Sequence, residues 1–308
     1  MDSEWDPNEK RNDPRCQICG GSCFRDKEFR NGARLRLCRA CGFGETILAP
    51  EADSARAIYE DPAVTQRWTR LEEIRRREWE RFFPDGLREG RKPGDWHVDV
   101  GAGHGDFCLW MTQRGWTSLG MDLTPRFAQR VRERGIPCVV ASMLDLPICP
   151  GKVSLISFMD TLEHVFDPGK VLRQARDVLR PQGCLLIRCP NASSWSARLL
   201  GRFWPWWSLE DHRVHFSPQS LHVLLEQTGF QCVSMRSVEE PSVYTDLAIK
   251  AFSRGCHRLG LPRRFDFGLR PLILLPLRLL FFCLRPFQRW LEGTSRAAAL
   301  VVTGRVQG

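Results

Sequence analysis

Two groups of residues in this chain have types and spacings that could do chemistry. Cys16-Gln-Ile-Cys19 and Cys38-Arg-Ala-Cys41 form two C-x2-C pairs with 18 residues between them, each followed by a glycine, Gly20 or Gly42. Each pair makes a tight knuckle that aims two thiolates at one point. Two knuckles complete a tetrahedral Zn(2+) site. Cys23 is a spare thiol between them. Further along, Asp160, Glu163 and His164 stand at i, i+3 and i+4, one helical face. His212 and His215 follow after a long connection. Carboxylates and imidazoles in such groups serve acid–base work or hold a divalent ion.

A third stretch is built for binding. Residues 98–107, Val-Asp-Val-Gly-Ala-Gly-His-Gly-Asp-Phe, read as a buried strand entering a glycine-rich turn that opens a helix. Gly101, Gly103 and Gly105 let the backbone turn sharply and approach a ligand closely. A dinucleotide fingerprint would be G-x-G-x-x-G, whereas here Asp106 stands at the third glycine. Asp99 and Asp106 flank the turn, so a pyrophosphate would meet two carboxylates. S-adenosylmethionine carries an ammonium and a sulfonium and no phosphate, and the acidic loop favours it over NAD. Asp122 lies 21 residues after Gly101, where a βαβ unit places a carboxylate on ribose hydroxyls.

With these markers and the run Met159-Asp160-Thr161-Leu162-Glu163-His164-Val165, residues 96–240 resemble a class I S-adenosylmethionine-dependent methyltransferase. The resemblance implies an α/β fold: a doubly wound, Rossmann-like seven-stranded sheet whose last strand inserts antiparallel between its two neighbours. It implies cofactor contacts from Asp99, Gly101, Gly103, Gly105, Asp122, Leu123, Ser142, Met143 and Asp160. The family usually has an acid near position 142. Ser142-Met143 stands there instead, which leaves adenine to backbone groups. Residues matching His164 and His212 face the acceptor in the family.

Ubiquinone-type O-methyltransferases resemble the chain more closely at Leu162-Glu163-His164-Val165, and small-RNA terminal methyltransferases share an acid-x-x-Glu-His run with a later His. In those families two acids and two histidines hold a divalent ion. Carried over, that set is Asp160, Glu163, His164 and His212, with His215 a rival fourth ligand. This chain has Asp160 where they have Glu, a shorter reach. A metal-free base at His164 or His212 is taken ahead of a second divalent cation. The plain alternative is that Glu163-His164 only caps and packs its segment.

The elements that must position these groups follow from the pattern. Strands are expected at 96–100, 116–121, 137–141, 153–158, 183–189, 231–238 and 297–303, and helices at 105–114, 125–134, 168–180 and 217–228. Such alternation argues a parallel doubly wound sheet. Residues 1–50 hold the four-cysteine, zinc-ribbon-like module, too short for its own core. Residues 51–94 read as a helical linker with an apolar stripe at Val64, Trp68, Leu71, Ile74 and Trp79. Residues 95–308 form the methyltransferase domain, with an amphipathic insertion at about 241–296.

In that insertion, residues 269–291 are apolar but interrupted by Arg270, Arg278, Arg285 and Arg289, which fall within about 100° of one another on a helix. Its longest charge-free run is far short of the ~20 residues that span a bilayer. It reads equally as an interfacial helix and as a covering or dimer-forming one. Trp195, Phe203, Trp204, Trp206 and Trp207 crowd the loop before His212, an acceptor lid or a membrane anchor by composition, with burial against residues 269–291 the plain alternative.

A formal charge of +9 admits nucleic acid, anionic lipid or phosphorylated partners. Residues 1–10 are polar and acidic, unlike a signal peptide, so a reducing cytoplasmic setting is expected, peripheral at the inner face of a membrane if the basic apolar segments dock there. Two function classes stand. One is methyl transfer to oxygen or carbon of a small-molecule acceptor: a sugar, quinone or lipid-linked intermediate. Sugar C-methyltransferases share the four-cysteine module but carry a further domain that 308 residues cannot hold. The other is RNA methylation, with module and basic surface as binders, although no N/D-P-P-Y motif follows the fourth strand. A non-catalytic scaffold is disfavoured by the intact cofactor residues. The sequence leaves the oligomeric state open.

Overall fold

The computed structural model describes residues 14–29, 32–47, 76, 79–83, 87, 95–239 and 285–307. The chain enters through three short strands, β1 (Phe24–Glu28), β2 (Arg34–Cys38) and β3 (Gly44–Ile47), paired antiparallel in that order. The βα units follow: β4 (Trp96–Val100), α1 (Asp106–Thr112), β5 (Thr117–Asp122), α2 (Pro125–Glu133), β6 (Cys138–Val140), β7 (Val153–Met159), α3 (Pro168–Val178) and β8 (Leu179–Pro190). After β8 come α4 (Trp195–Leu200), the two-residue β9 (Val214–His215), α5 (Pro218–Gln227), β10 (Phe230–Val238), α6 (Arg285–Glu292) and β11 (Ala299–Val306).

The main sheet runs β10-β11-β8-β7-β4-β5-β6. β4 to β8 pair parallel, and β11 lies antiparallel between β8 and β10. Seven strands with the last one inserted antiparallel is the expected topology. β7 is buried almost throughout its Val-Ser-Leu-Ile-Ser-Phe run, as a central parallel strand covered on both faces must be. The expected helix over 168–180 ends at Val178. Strand pairing starts at Leu179, and Gln182-Gly183 falls inside β8, with Gln182 at φ 61°.

Helix starts follow local chemistry. Asp167 accepts from the Lys170 backbone N–H at the head of α3, with Pro168 in the first turn. Ser217 and Ser220 exchange side-chain-to-backbone bonds around the start of α5. Of the linker stripe, Trp79 packs on Phe107 and Trp110 of α1, at ring separations of 5.1 and 6.0 Å, and Phe83 joins at 4.9 Å. Val64, Trp68, Leu71 and Ile74 lie outside the described residues.

The cysteine strands do not stand apart. β9 pairs antiparallel with β3, Gly44 opposite His215 and Glu45 opposite Val214, making one four-stranded sheet. Cys16, Ile18, Cys38, Cys41 and Phe43 are buried in the same apolar cluster as Val98, Phe158 and Ile187 of the main sheet.

Candidate active site

Gly101, Gly103 and Gly105 all have positive φ, at 76°, 53° and 77°. A Cβ on Gly101 would lie 2.4 Å from Thr161 Cγ2, so the turn closes against the end of β7 only as glycine. A Cβ on Gly103 would meet nothing within 4 Å, which leaves open space above the turn for a ligand. Asp122, at the end of β5, borders it. Its carboxylate accepts from the backbone N–H of Gly103 at 2.9 Å and of Thr124 at 2.8 Å. Leu123 is 65% exposed next to it. Ser142 and Met143 follow β6 half-buried, and the Ser142 hydroxyl accepts from the Leu144 N–H.

The acids expected to flank the turn are otherwise engaged. Asp99 is buried, its carboxyl accepting from Ser157 at 2.6 Å, and burial pushes it up to about 7. Asp106 pairs with Arg134, just past the end of α2. Of the three carboxylates, Asp122 alone borders the open space.

The second group gathers beyond the ends of β7 and β8. Asp160 sits in the left-handed region at φ 54°, a strained conformation for a non-glycine residue, and is held there by the buried Arg188 guanidinium. Arg188 also lies over the Trp206 ring, 5.5 Å from its centroid. A single turn of 3-10 helix, Leu162–His164, presents Glu163 and His164. Ligand atoms of Glu163, His164 and His212 all lie within 4.8 Å of one another. The two imidazoles pack edge to face at 4.9 Å.

His164 Nδ1 donates to the Asp211 carbonyl and His212 Nδ1 to the Trp206 carbonyl, both at 3.0 Å, which leaves Nε2 as the lone-pair nitrogen of the neutral His212 ring. Desolvation pushes His212 down to about 4, so it is neutral at pH 7. Glu163 is 1% exposed, and neither carboxylate oxygen has a hydrogen-bond partner. Burial, reinforced by Asp160, pushes its pKa well up.

His215 is set apart from this group. It is buried and bonded through Nε2 to the Thr46 hydroxyl at 2.8 Å, and so is not brought to Glu163 as a fourth ligand. Asp160, engaged by Arg188, also stands outside the close trio. Of the crowded aromatics, Trp204 and Trp207 are buried against Ala33 and Leu35 of the cysteine sheet, while Trp195 and Phe203 are exposed. The loop is therefore partly core.

Arg188 was missed by sequence reasoning. Its signal was a lone charge inside the apolar run Leu185-Leu186-Ile187-Arg188-Cys189. Thr46 had no such signal.

At the cysteine module, Cys16 Sγ lies 3.7 Å from Cys41 Sγ and Cys19 Sγ 3.6 Å from Cys38 Sγ, all four within 4.8 Å of one another. Zinc–sulfur bonds of about 2.3 Å in a tetrahedron put sulfurs about 3.8 Å apart, so the set fits zinc. Gly20 and Gly42 donate back to the carbonyls of Cys16 and Cys38, closing the knuckles. Cys23 is exposed and outside the cluster.

A family described as a methyltransferase domain matches residues 69–235, more than half of the chain. The chain belongs to this family. Among curated relatives, an uncharacterised 37.1 kDa protein in transposon TN4556 of Streptomyces fradiae is 30% identical over 111 residues, 33% of this chain and 32% of that one. A tRNA 5-carboxymethoxyuridine methyltransferase of Escherichia coli strain K12 is 33% identical over 109 residues, 31% of this chain and 40% of that one. The chain thus spans about a third of the length of the curated relatives it matches.

Two solved structures share the fold. One belongs to the complex of a Haloferax volcanii methyltransferase with the Trm112 methyltransferase activator, at TM-score 0.52 and 17% identity, covering 85% of this chain and 100% of that one. The other is an S-adenosylmethionine-dependent methyltransferase from Archaeoglobus fulgidus, at TM-score 0.50 and 15% identity, covering 76% and 94%. In this methyltransferase fold the glycine turn and Asp122 lie at the ends of β4 and β5, and Glu163, His164 and His212 lie beyond the ends of β7 and β8.

Proposed function

We propose that this protein transfers a methyl group from S-adenosylmethionine to an oxygen of a small, largely apolar acceptor. The observation that carries the reading is the neutral His212 ring, its Nδ1 proton committed to a backbone carbonyl and a ring nitrogen within 4.8 Å of ligand atoms of Glu163 and His164.

On the cofactor side, Asp122 would accept from ribose hydroxyls, Leu123 and Met143 would line the adenine, and the open space at Gly103 would admit the amino-acid end. Bound there, the cofactor supplies an electrophilic methyl on a sulfonium. With that methyl in line with the acceptor oxygen, His212 would take up the hydroxyl proton through Nε2 as the oxygen is methylated. A neutral imidazole can take that proton at pH 7, whereas an imidazolium cannot. Half-buried Trp206 and the Arg188 guanidinium would wall the acceptor, with Arg188 also fixing Asp160.

A zinc ion on Cys16, Cys19, Cys38 and Cys41 would supply structure alone, since four cysteine ligands close the site. A second divalent cation is the other reading of the Glu163, His164 and His212 set, favoured by the two unpartnered oxygens of Glu163. There it would lower the pKa of an acceptor hydroxyl. An RNA acceptor has its own support: a tRNA methyltransferase among the relatives, and Arg15, Arg25, Arg34 and Arg39 exposed on the cysteine module.

For location, no helix among the described residues is long and apolar enough to cross a membrane. Exposed Trp195, Leu199 and Phe203, interleaved with Arg198 and Arg202, and exposed Phe287 and Trp290 beside Arg289 support docking on an anionic bilayer. Residues 269–284 of the expected interfacial segment lie outside the described residues.

One experiment addresses acceptor and location together. The protein is incubated with a cell extract and methyl-labelled S-adenosylmethionine, and the extract is then split into small molecules, membrane lipid and RNA. Label in the first two fractions, with the protein sedimenting with membranes at low salt and released at high salt, is expected. Label confined to RNA would replace this acceptor, and a protein that never sediments would remove the docking.

A further inference from the structure

We infer that the four-cysteine module positions the methyl-acceptor site, with Thr46 as the residue through which it acts on His215 and, across a ring contact, on His212. This rests on the reading of His212 as an acceptor-side group.

Five contacts carry the module onto that side. Thr46, on β3 and 2% exposed, bonds His215 Nε2 at 2.8 Å, and its own backbone N–H donates to the Arg213 carbonyl at 2.9 Å. Gln17, inside the first knuckle, donates to the Phe166 carbonyl at 3.2 Å, two residues past His164. The Ser217 hydroxyl, at the head of α5, donates to the Cys41 carbonyl. Ala33 and Leu35 pack on Trp204, Trp207 and Leu209. None of these contacts involves the glycine turn or Asp122.

The transmission is short. His215 contacts the Trp207 ring at 5.3 Å and the His212 ring at 6.2 Å. Trp207 is pinned by its indole N–H to the Gly201 carbonyl at 2.7 Å and by Lys27 of β1, whose ammonium lies 4.7 Å from the ring centroid. The Arg213 backbone N–H donates to the Glu163 carbonyl at 2.8 Å, tying the same segment to the 3-10 turn. There is no slack at the strand contact, where a Cβ on Gly44 would lie 3.0 Å from His215 Cβ and 2.9 Å from Leu37 Cδ2.

A module serving only to stabilise the fold would affect both sides of the site alike. Positioning through Thr46 predicts a one-sided effect, and removal of a single hydroxyl separates the two. In Thr46→Val the volume is kept and the bond to His215 is lost.

The test is nuclear magnetic resonance of histidine-labelled protein, whose seven histidines keep the spectrum tractable, with zinc content by metal analysis and S-adenosylmethionine affinity by calorimetry. Thr46→Val is expected to shift or broaden the ring signals of His215 and His212, with one zinc retained and the cofactor dissociation constant within twofold of wild type. Thr46→Ser should restore the signals. His212 signals identical to wild type would overturn the inference, as would their shifting only together with loss of zinc or of cofactor affinity. Label confined to RNA in the extract experiment would retire the small-molecule reading without moving any of these signals, so the two can fail separately.

Discussion

Between β4, β5 and β7 the His97 ring bridges two serines, Ser118 at 3.1 Å and Ser157 at 2.8 Å, and Ser157 continues to Asp99 under the glycine turn. Burial pushes His97 down from 6.5 to about 3. Below pH 6.5 the unfolded chain takes up a proton that the folded ring refuses until about pH 3. The unfolded state binds more protons in that window, so stability falls as pH falls. Asp99, pushed up to about 7, acts in the opposite direction, and it remains when His97 is replaced. Between pH 7 and 5, wild type should lose about 2 kcal/mol more than His97→Gln in urea unfolding. Parallel pH profiles would show that the ring is not buried neutral. The placement of single residues was legible where type and local spacing carried the signal: the four cysteines cluster, the three glycines turn at positive φ, and Asp122 ends β5 beside that turn. Asp106 misled, because its partner Arg134 is chosen by how α2 packs. Thr46 was invisible, since its partner lies 169 residues away.

The α/β elements could be read to within a few residues because buried parallel strands leave unbroken apolar runs and the helices carry proline and serine caps. β1 to β3 and β9 were not legible. They are four, five or two residues long and largely polar outside their buried positions, and β9 exists only through its pairing with β3. The cysteine spacing nevertheless located the module that they build. Because its cysteines share the main core, zinc loss should reach beyond the module. Cys38→Ser/Cys41→Ser is expected to contain no zinc and to melt about 5–10 °C lower, for a loss near 3 kcal/mol. Full zinc content in this variant would move the metal elsewhere, with Cys23 the first residue to examine.

Over the whole molecule, the main sheet brings two groups of residues to the same strand ends. β4 and β5 carry the glycine turn and Asp122. β7, β8 and the connection to β9 carry Glu163, Arg188 and His212, and the cysteine sheet backs that second side. Ligands of doubly wound sheets bind beyond the carboxyl ends of the strands. This division is the central claim, and a calorimetric titration of S-adenosylmethionine into wild type, Asp122→Ala and His212→Ala tests it without knowledge of the acceptor. Asp122→Ala removes a charged acceptor and the clamp on the Gly103 and Thr124 N–H groups, worth about 1–3 kcal/mol or roughly 5- to 150-fold in affinity. The account predicts that loss for Asp122→Ala and wild-type affinity for His212→Ala. Asp122→Ala binding as tightly as wild type would contradict it.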